Sequence, residues 1–183
     1  MFYYTFKGDQ PDLGIGKKIV WCVQDTFYIE SETTLSGDYT KVDSLPDACI
    51  LSRSKELREA KDSKIVELNA ACDKMIEEYE SSALGEVYIY SGSIEDQINI
   101  IALGSAGVDA FFRCQRKGEE NKHNIAHTAK QLAQVYADGT KHKSEAILRC
   151  GALKEKVEAA TTVDEVNAIT WETEVDTSIL PNK

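Results

Sequence analysis

Two histidines and a cysteine are the residues whose types and spacing come nearest to a metal site. His123 and His127 are four positions apart, and Cys114 lies nine residues before the first of them. On a helix, histidines four apart face the same side and can share a zinc ion. Zinc usually takes three or four protein ligands, and only His142 and Cys150 remain to complete the set. Because His127 directly precedes a predicted helix start and His123 lies in a polar loop, the sequence does not predict a metal site.

A glycine-containing segment at residues 13–18 (LGIGKK) resembles a phosphate-binding loop only superficially. It lacks the glycine spacing of that motif and the Ser or Thr after the lysine. The residues that follow, 19–23 (IVWCV), have the composition of a strand rather than of the helix that such a loop requires. We interpret the segment as a hairpin turn.

Other catalytic arrangements are weak or missing in the sequence. The acidic pairs Glu77-Glu78 and Glu95-Asp96 lie on polar faces of predicted helices, where no apolar pocket would raise a carboxyl pKa for acid catalysis. No Gly-x-Ser-x-Gly motif and no known cysteine-protease context is found. We therefore predict a protein that is not an enzyme, with no cofactor, no metal and no catalytic residue.

Composition and charge exclude further classes of function. The 183 residues carry 21 basic and 31 acidic side chains, a net charge of −10, and the basic residues form no stripe that would bind nucleic acid. No run approaches the roughly 18 apolar residues of a membrane span, and the N-terminus does not read as a secretory signal. The five cysteines form no Cys-x-x-Cys pair, which predicts reduced, structural thiols. We expect a protein that is cytosolic where it is made.

Residues 1–48 read as a small β-rich part of the chain. Segments 3–7, 18–23, 26–29 and 39–42 are rich in aromatic and β-branched residues, and glycines separate them. Strands this short are marginal alone and are expected to rest on something larger. After Pro46-Asp47 the pattern becomes helical, so we place a domain boundary at residues 48–52 and interpret 1–48 as an attachment module.

Residues 52–171 read as a mainly helical domain. A helical stripe over residues 52–82 comprises Leu57, Ile65, Leu68, Cys72, Met75 and Tyr79. Strands at 86–91 and 111–115 form a short two-stranded element, and between them Ser93 caps a helix whose apolar face is Ile94, Ile98 and Ile101. Residues 117–124 read as a polar, charged loop.

Two capping boxes mark the helices that follow. Thr128 with Gln131 opens a helix whose core face is Leu132, Val135 and Tyr136, and Asp138-Gly139 is expected to break it. A last long helix over 140–160 carries Ala146, Cys150, Leu153, Val157 and Ala160.

The fold class predicted from these elements is α+β. The two long amphipathic helices pack as an antiparallel pair or self-associate as a coiled coil, with Leu68, Cys72, Leu153 and Val157 predicted in one buried cluster.

The end of the chain offers one candidate for an interaction. Thr162 with Glu165 opens a final turn that leads to Trp171, and residues 172–183 form a polar tail. Trp171 either closes the end of the helical core or remains exposed as an anchor for a neighbouring subunit, because tryptophan is enriched among interface hot spots.

Several segments of the second part match, in order and spacing, a known family pattern. They are residues 67–72 (ELNAAC), 88–91 (YIYS), 95–99 (EDQIN), 127–132 (HTAKQL), 153–162 (LKEKVEAATT) and 169–171 (ITW). On these segments, residues 54–171 resemble an uncharacterised domain at the C-terminal ends of bacteriophage and prophage tail, tail-fibre and tail-fibre-assembly-like proteins. The family has no catalytic residues to carry over.

The resemblance implies a non-catalytic accessory of a phage tail or tail fibre, either a virion component or an assembly chaperone. Its partners would be other tail or tail-fibre proteins, and it would be found in the virion tail or in the host cytoplasm during assembly. The alternative is a small metal-dependent hydrolase acting on the host cell wall or surface polysaccharide, which would need a metal or paired-carboxylate site.

Overall fold

Short runs of aromatic and β-branched residues form the strands of the first part of the chain, as the sequence predicts. A computed structural model describes residues 1–176 of the 183. Two compact units are distinguished, Met1–Glu59 and Ala60–Lys183. The fold is α+β, with a β-rich N-terminal part and a helical region. The predicted role of residues 1–48 as an attachment module stays a prediction.

The first unit contains an antiparallel sheet with the strand order β2-β3-β1-β4. Its strands are β1 (Phe2–Lys7), β2 (Lys17–Val23), β3 (Thr26–Ser31) and β4 (Thr40–Val42). The buried apolar residues of this unit are Tyr4, Ile29, Leu45 and Cys49. Residues 13–16 precede β2, so the glycine-containing segment leads into a strand, as expected.

Helix α1 (Asp47–Ile76) begins five residues earlier than the sequence predicts and ends six residues earlier. Asp47 places a carboxylate in the first turn, where it stabilises the helix dipole. The boundary between the two units falls within this helix, between Glu59 and Ala60.

Tyr79 was predicted on the helical stripe, and this was wrong because it lies in strand β5 (Glu78–Ser81). Its spacing from Met75 suits a helix, but residues 78–81 are alternately exposed and buried and pair with β6 (Tyr88–Ser91), where Tyr79 lies opposite Tyr90. Pairing with a neighbouring strand outweighs the local helical pattern.

The second unit contains a four-stranded sheet with the order β5-β6-β7-β8, in which each neighbouring pair is antiparallel. Its other strands are β7 (Ala110–Arg116) and β8 (His123–His127). The predicted two-stranded element is the inner pair β6 and β7, and the sequence missed the two edge strands. Helix α2 (Ile94–Ala106) connects β6 to β7, and its predicted cap is present because the Asp96 N–H donates to Ser93 Oγ (3.2 Å).

Helix α3 (Ala129–Ala159) is continuous, so the predicted break at Asp138-Gly139 was wrong. The glycine is explained by packing instead: a Cβ added at Gly139 would lie 2.6 Å from Cζ of the Tyr79 ring. Both predicted capping boxes are confirmed, one at the start of α3 and one at the start of α4 (Val163–Ala168).

Within the second unit, α1 and α3 pack antiparallel, as predicted. Cys150 Sγ lies 3.6 Å from the Leu68 carbonyl oxygen, and Cys72 Sγ lies 3.7 Å from that of Ala146. Lys61 Nζ donates to the Glu158 carbonyl oxygen near the other end of the pair (2.5 Å). The four residues predicted in one core are all buried: Leu68, Cys72, Leu153 and Val157.

Close packing at Gly92 joins the β5–β6 hairpin to the end of α1. The Gly92 N–H donates to the Glu77 carbonyl oxygen (2.6 Å), and a Cβ at this position would overlap the carbonyl oxygen of Ile76.

Among residues 1–176, no helix has both the length and the apolar character needed to cross a membrane.

Candidate interaction surface

Helix α2 has apolar residues on two sides, and only one side is buried. Ile100 lies in the core of the second unit, and Leu103 packs against that core. Ile94, Ile98 and Ile101 are 77%, 60% and 45% exposed. The sequence predicted these three as the apolar face of the helix, but they are not the side that packs, because apolar residues lie around most of the helix and spacing alone does not identify the buried side. The structure leaves an isoleucine stripe in contact with solvent.

Helix α3 also exposes two large apolar or aromatic side chains, Tyr136 and Ile147. Leu132 and Val135 are buried as predicted, but Tyr136 is 44% exposed and does not belong to the core face. Ile147, three turns further along the helix, is 52% exposed.

A groove of about 320 Å³ lies between these two helices. It is lined by Ile76, Tyr79, Gly92, Gln97, Ile100, Ile101, Tyr136, Gly139, Thr140, His142, Lys143, Ser144 and Ile147. Large apolar and aromatic side chains predominate, with a few polar groups at known positions, as in many binding sites.

The polar groups of the groove have defined hydrogen bonds. His142 Nε2 donates to the Met75 carbonyl oxygen (2.7 Å), and Gln97 Nε2 donates to that of Gly92 (2.5 Å). Lys143 is half-buried, and its ammonium group lies 3.3 Å from Gln97 Oε1. Within residues 1–176, Lys143 has no carboxylate as an ion-pair partner. Among the residues that the structure describes, the partner of this cation is therefore a neutral amide, and no carboxylate compensates its charge.

Tyr79 lines the groove as a neutral side chain. Burial raises the pKa of its hydroxyl, and the carboxylates of Asp96 and Asp138 raise that pKa further. Asp96 accepts a hydrogen bond from Ser93 Oγ (3.0 Å), and Asp138 accepts one from Ser81 Oγ (2.5 Å). Both carboxylates therefore accept hydrogen bonds from nearby serine hydroxyl groups.

A second polar cluster lies in the core of the same unit. The Tyr90 hydroxyl and His127 Nε2 are 2.9 Å apart, and His127 Nδ1 is 2.8 Å from the Ile125 carbonyl oxygen. A carbonyl oxygen only accepts, so Nδ1 carries the proton and Nε2 accepts from Tyr90. The side chains of Tyr90 and His127 are both buried. Cys114 is buried in the same core, and this burial raises the pKa of its thiol. This cluster satisfies the hydrogen bonding of polar groups within the core.

The histidine spacing does not form a metal site. His123 and His127 are the two ends of β8, where four residues span about 13 Å, too far for one ion. Cys114 lies opposite His123 in the register of β7 and β8, but it is buried and His123 is exposed. In the part of the chain that the structure describes, no group of three or more His, Cys, Asp or Glu side chains could hold a metal.

The two acidic pairs lie apart from each other in the secondary structure. Glu77 and Glu78 are exposed at the start of β5 rather than on a helix, and Glu95 and Asp96 are in the first turn of α2.

Trp171 is half-buried and is held by Arg149 of α3. The guanidinium group lies 5.8 Å from the centre of the indole ring, and its Nε donates to the Trp171 carbonyl oxygen (2.8 Å). A terminal nitrogen of Arg149 also donates to the Thr173 carbonyl oxygen (3.1 Å). The sequence did not identify Arg149. Whether Trp171 serves the core or a partner stays a prediction.

Comparison with known proteins gives one match. Residues 59–170 match the model of a family described as a domain of unknown function (DUF4376). No curated protein and no solved structure matches the chain.

Proposed function

The chain belongs to the DUF4376 family, and we propose that it is a non-catalytic, bacteriophage tail-associated protein that binds other proteins of the tail or tail fibre. The observation that supports a binding role is the groove between α2 and α3, with the exposed Ile101 on its α2 side and the exposed Ile147 on its α3 side. Neighbouring exposed apolar residues around a groove are typical of protein-binding surfaces. The resemblance of residues 54–171 to tail proteins supplies the phage context.

In this proposal the protein acts either as a virion component or as a chaperone of fibre assembly. Its place is then the virion tail or the host cytoplasm during assembly. Both roles require a surface that holds another chain, and neither requires a reaction.

Mass spectrometry of purified particles from a strain that encodes the chain tests the proposal. A permanent component is expected in finished particles at a fixed ratio to the other tail proteins. A chaperone is expected to be absent from particles, but deletion of its gene should yield particles with missing or defective fibres.

Two results would contradict the proposal. One is absence from particles together with normal tails and full infectivity in the deletion strain. The other is hydrolysis of cell-wall or surface polysaccharide by the purified chain, with a bound metal found by elemental analysis, which would favour the hydrolase alternative.

A further inference from the structure

We propose that the groove between α2 and α3 binds a short amphipathic helix of another protein, and that this helix places an acidic side chain at Lys143. The inference rests on the proposed function, since it names the chemistry of the segment that a tail partner would present. It is carried by the exposed apolar and aromatic residues that line both sides of the groove and by the charge of the groove.

The exposed apolar and aromatic residues of the lining match the length of a helix of about three turns. Tyr136 and Ile147 are eleven residues apart on α3, or about 16 Å, and Ile101 lies on the α2 side of the groove. An amphipathic helix that lies along such a groove inserts residues from successive turns of one face. The volume, about 320 Å³, is at the lower end of ligand pockets and suits a few inserted side chains.

The charge of the groove selects the polar group of the partner. Lys143 is the lining residue with a permanent charge, and within residues 1–176 its ammonium group has only the amide of Gln97 as a partner. Lys141, on the exposed side of the same turn, pairs instead with Glu145 (3.9 Å). A half-buried ammonium gains a charge-assisted hydrogen bond when a carboxylate reaches it. The complementary segment therefore carries Glu or Asp among its apolar residues.

Selection from a displayed library of 14-residue helical peptides tests the inference. One face of each peptide varies among Leu, Glu, Gln and Lys, and the full chain is the target. On the unmodified chain, we expect the selected peptides to combine leucines with one Glu. On Lys143→Glu, we expect Lys at the position where Glu was selected, whereas Lys141→Glu should leave the preference for Glu unchanged.

Binding measurements by fluorescence anisotropy then give the size of the effect. Lys143→Gln should weaken binding of the selected Glu peptide about tenfold or more, because a charge-assisted hydrogen bond is lost. Ile101→Ser should weaken binding similarly, because Ile101 lines the groove and is 45% exposed. The matched control is Phe111→Ser: Phe111 is 72% exposed and lies on β7, outside the groove lining. This variant should bind within twofold of the unmodified chain, and circular dichroism checks that each variant is folded.

Several results would overturn the inference. They are equal selection of Glu, Gln and Lys, an unchanged Glu preference on Lys143→Glu, and the absence of any selected peptide. A dimer that Ile101→Ser dissociates would mean that a second copy of the chain fills the groove. A chain ending at Asp176 that binds the peptide at least tenfold more tightly would assign the groove to residues 177–183.

The inference about the groove and the proposed function are tested by different outcomes. If the chain is found in particles but no peptide is selected, the inference about the groove is overturned and the tail assignment stands. If peptides are selected as expected but the deletion strain makes normal particles that never contained the chain, the tail assignment alone is overturned.

Discussion

Replacing Gly139 with alanine tests the packing of the β5 strand against helix α3. Alanine generally favours a helix interior over glycine by about 1 kcal/mol. At Gly139 the added Cβ would lie 2.6, 2.8 and 3.0 Å from three carbons of the Tyr79 ring. Carbon atoms normally approach to about 3.5–4.0 Å, so the ring or the helix would have to move by about 1 Å. Tyr79 is buried and stacks on Tyr90 with 5.7 Å between ring centres, which restricts its movement.

The same helix contains a matched control. Gly151 also lies inside α3, but a Cβ added there meets no atom within 4 Å. Gly151→Ala should therefore stabilise the protein by about 1 kcal/mol. Gly139→Ala has the same helical gain but also an overpacking cost of about 1–3 kcal/mol. We expect it to be between neutral and about 2 kcal/mol destabilising, so that the two variants differ by about 1–3 kcal/mol.

Urea unfolding followed by far-ultraviolet circular dichroism measures both variants. In thermal unfolding the same difference corresponds to roughly 2–12 °C between their melting temperatures. In a Tyr79→Leu background, which removes the ring, Gly139→Ala should become as favourable as Gly151→Ala. Equal stabilisation by the two alanines in the unmodified chain would refute the close approach of Tyr79 to the helix.

Three further substitutions test the core and the end of the chain. Leu153→Ala should lower the free energy of unfolding by about 2–5 kcal/mol because its side chain is fully buried, and a loss below about 0.5 kcal/mol in urea unfolding would contradict this. Tyr90→Phe should cost about 1–3 kcal/mol in the same assay, since it leaves the buried His127 Nε2 without its donor, and an unchanged stability would show that another group donates to it. Trp171→Ala should lower the free energy of unfolding by about 1–2 kcal/mol through the loss of its contact with Arg149, and should leave the amount of chain in purified particles unchanged. An unchanged melting temperature together with loss of the chain from particles would instead show that Trp171 anchors the chain to a neighbouring subunit.

Features that depend on neighbouring residues in the sequence were predicted well. The four strands of the first unit follow from the composition of short segments separated by glycines. The caps at Ser93, Thr128 and Thr162 follow from hydroxyl groups that accept hydrogen bonds from backbone N–H groups three residues later. Each of these signals is local, and no distant contact overrides it.

Features set by distant contacts were not predicted. Gly139 was interpreted as a helix break because glycine weakens helices, but its role is to admit the ring of Tyr79, which is 60 residues away in the sequence. Tyr79 itself was placed on the helix because a spacing of four residues fits the preceding stripe. Only its pairing with Tyr90 reveals the strand.

The candidate groove was missed for a related reason. Apolar residues of α2 lie on two sides, and a periodic pattern predicts an apolar face without showing which side is covered. The exposure of Ile98 became evident only when Ile100 and Leu103 were seen to pack on the core. The sequence signal that could have indicated it is the excess of isoleucine on a helix of thirteen residues, more than one buried face needs.

The tight fit at Gly92 has a consequence for how this family can vary. Because any side chain there would overlap the carbonyl oxygen of Ile76, no other residue fits without a shift of the backbone. The Gly92 N–H also donates to the carbonyl oxygen of Glu77, the residue between α1 and β5, so an insertion or deletion there would displace the acceptor of this hydrogen bond. Aligned members of the family should therefore keep glycine in this column, together with an unchanged number of residues from position 76 to position 78. A member with a larger residue at position 92 would be expected to carry a compensating change at the end of α1.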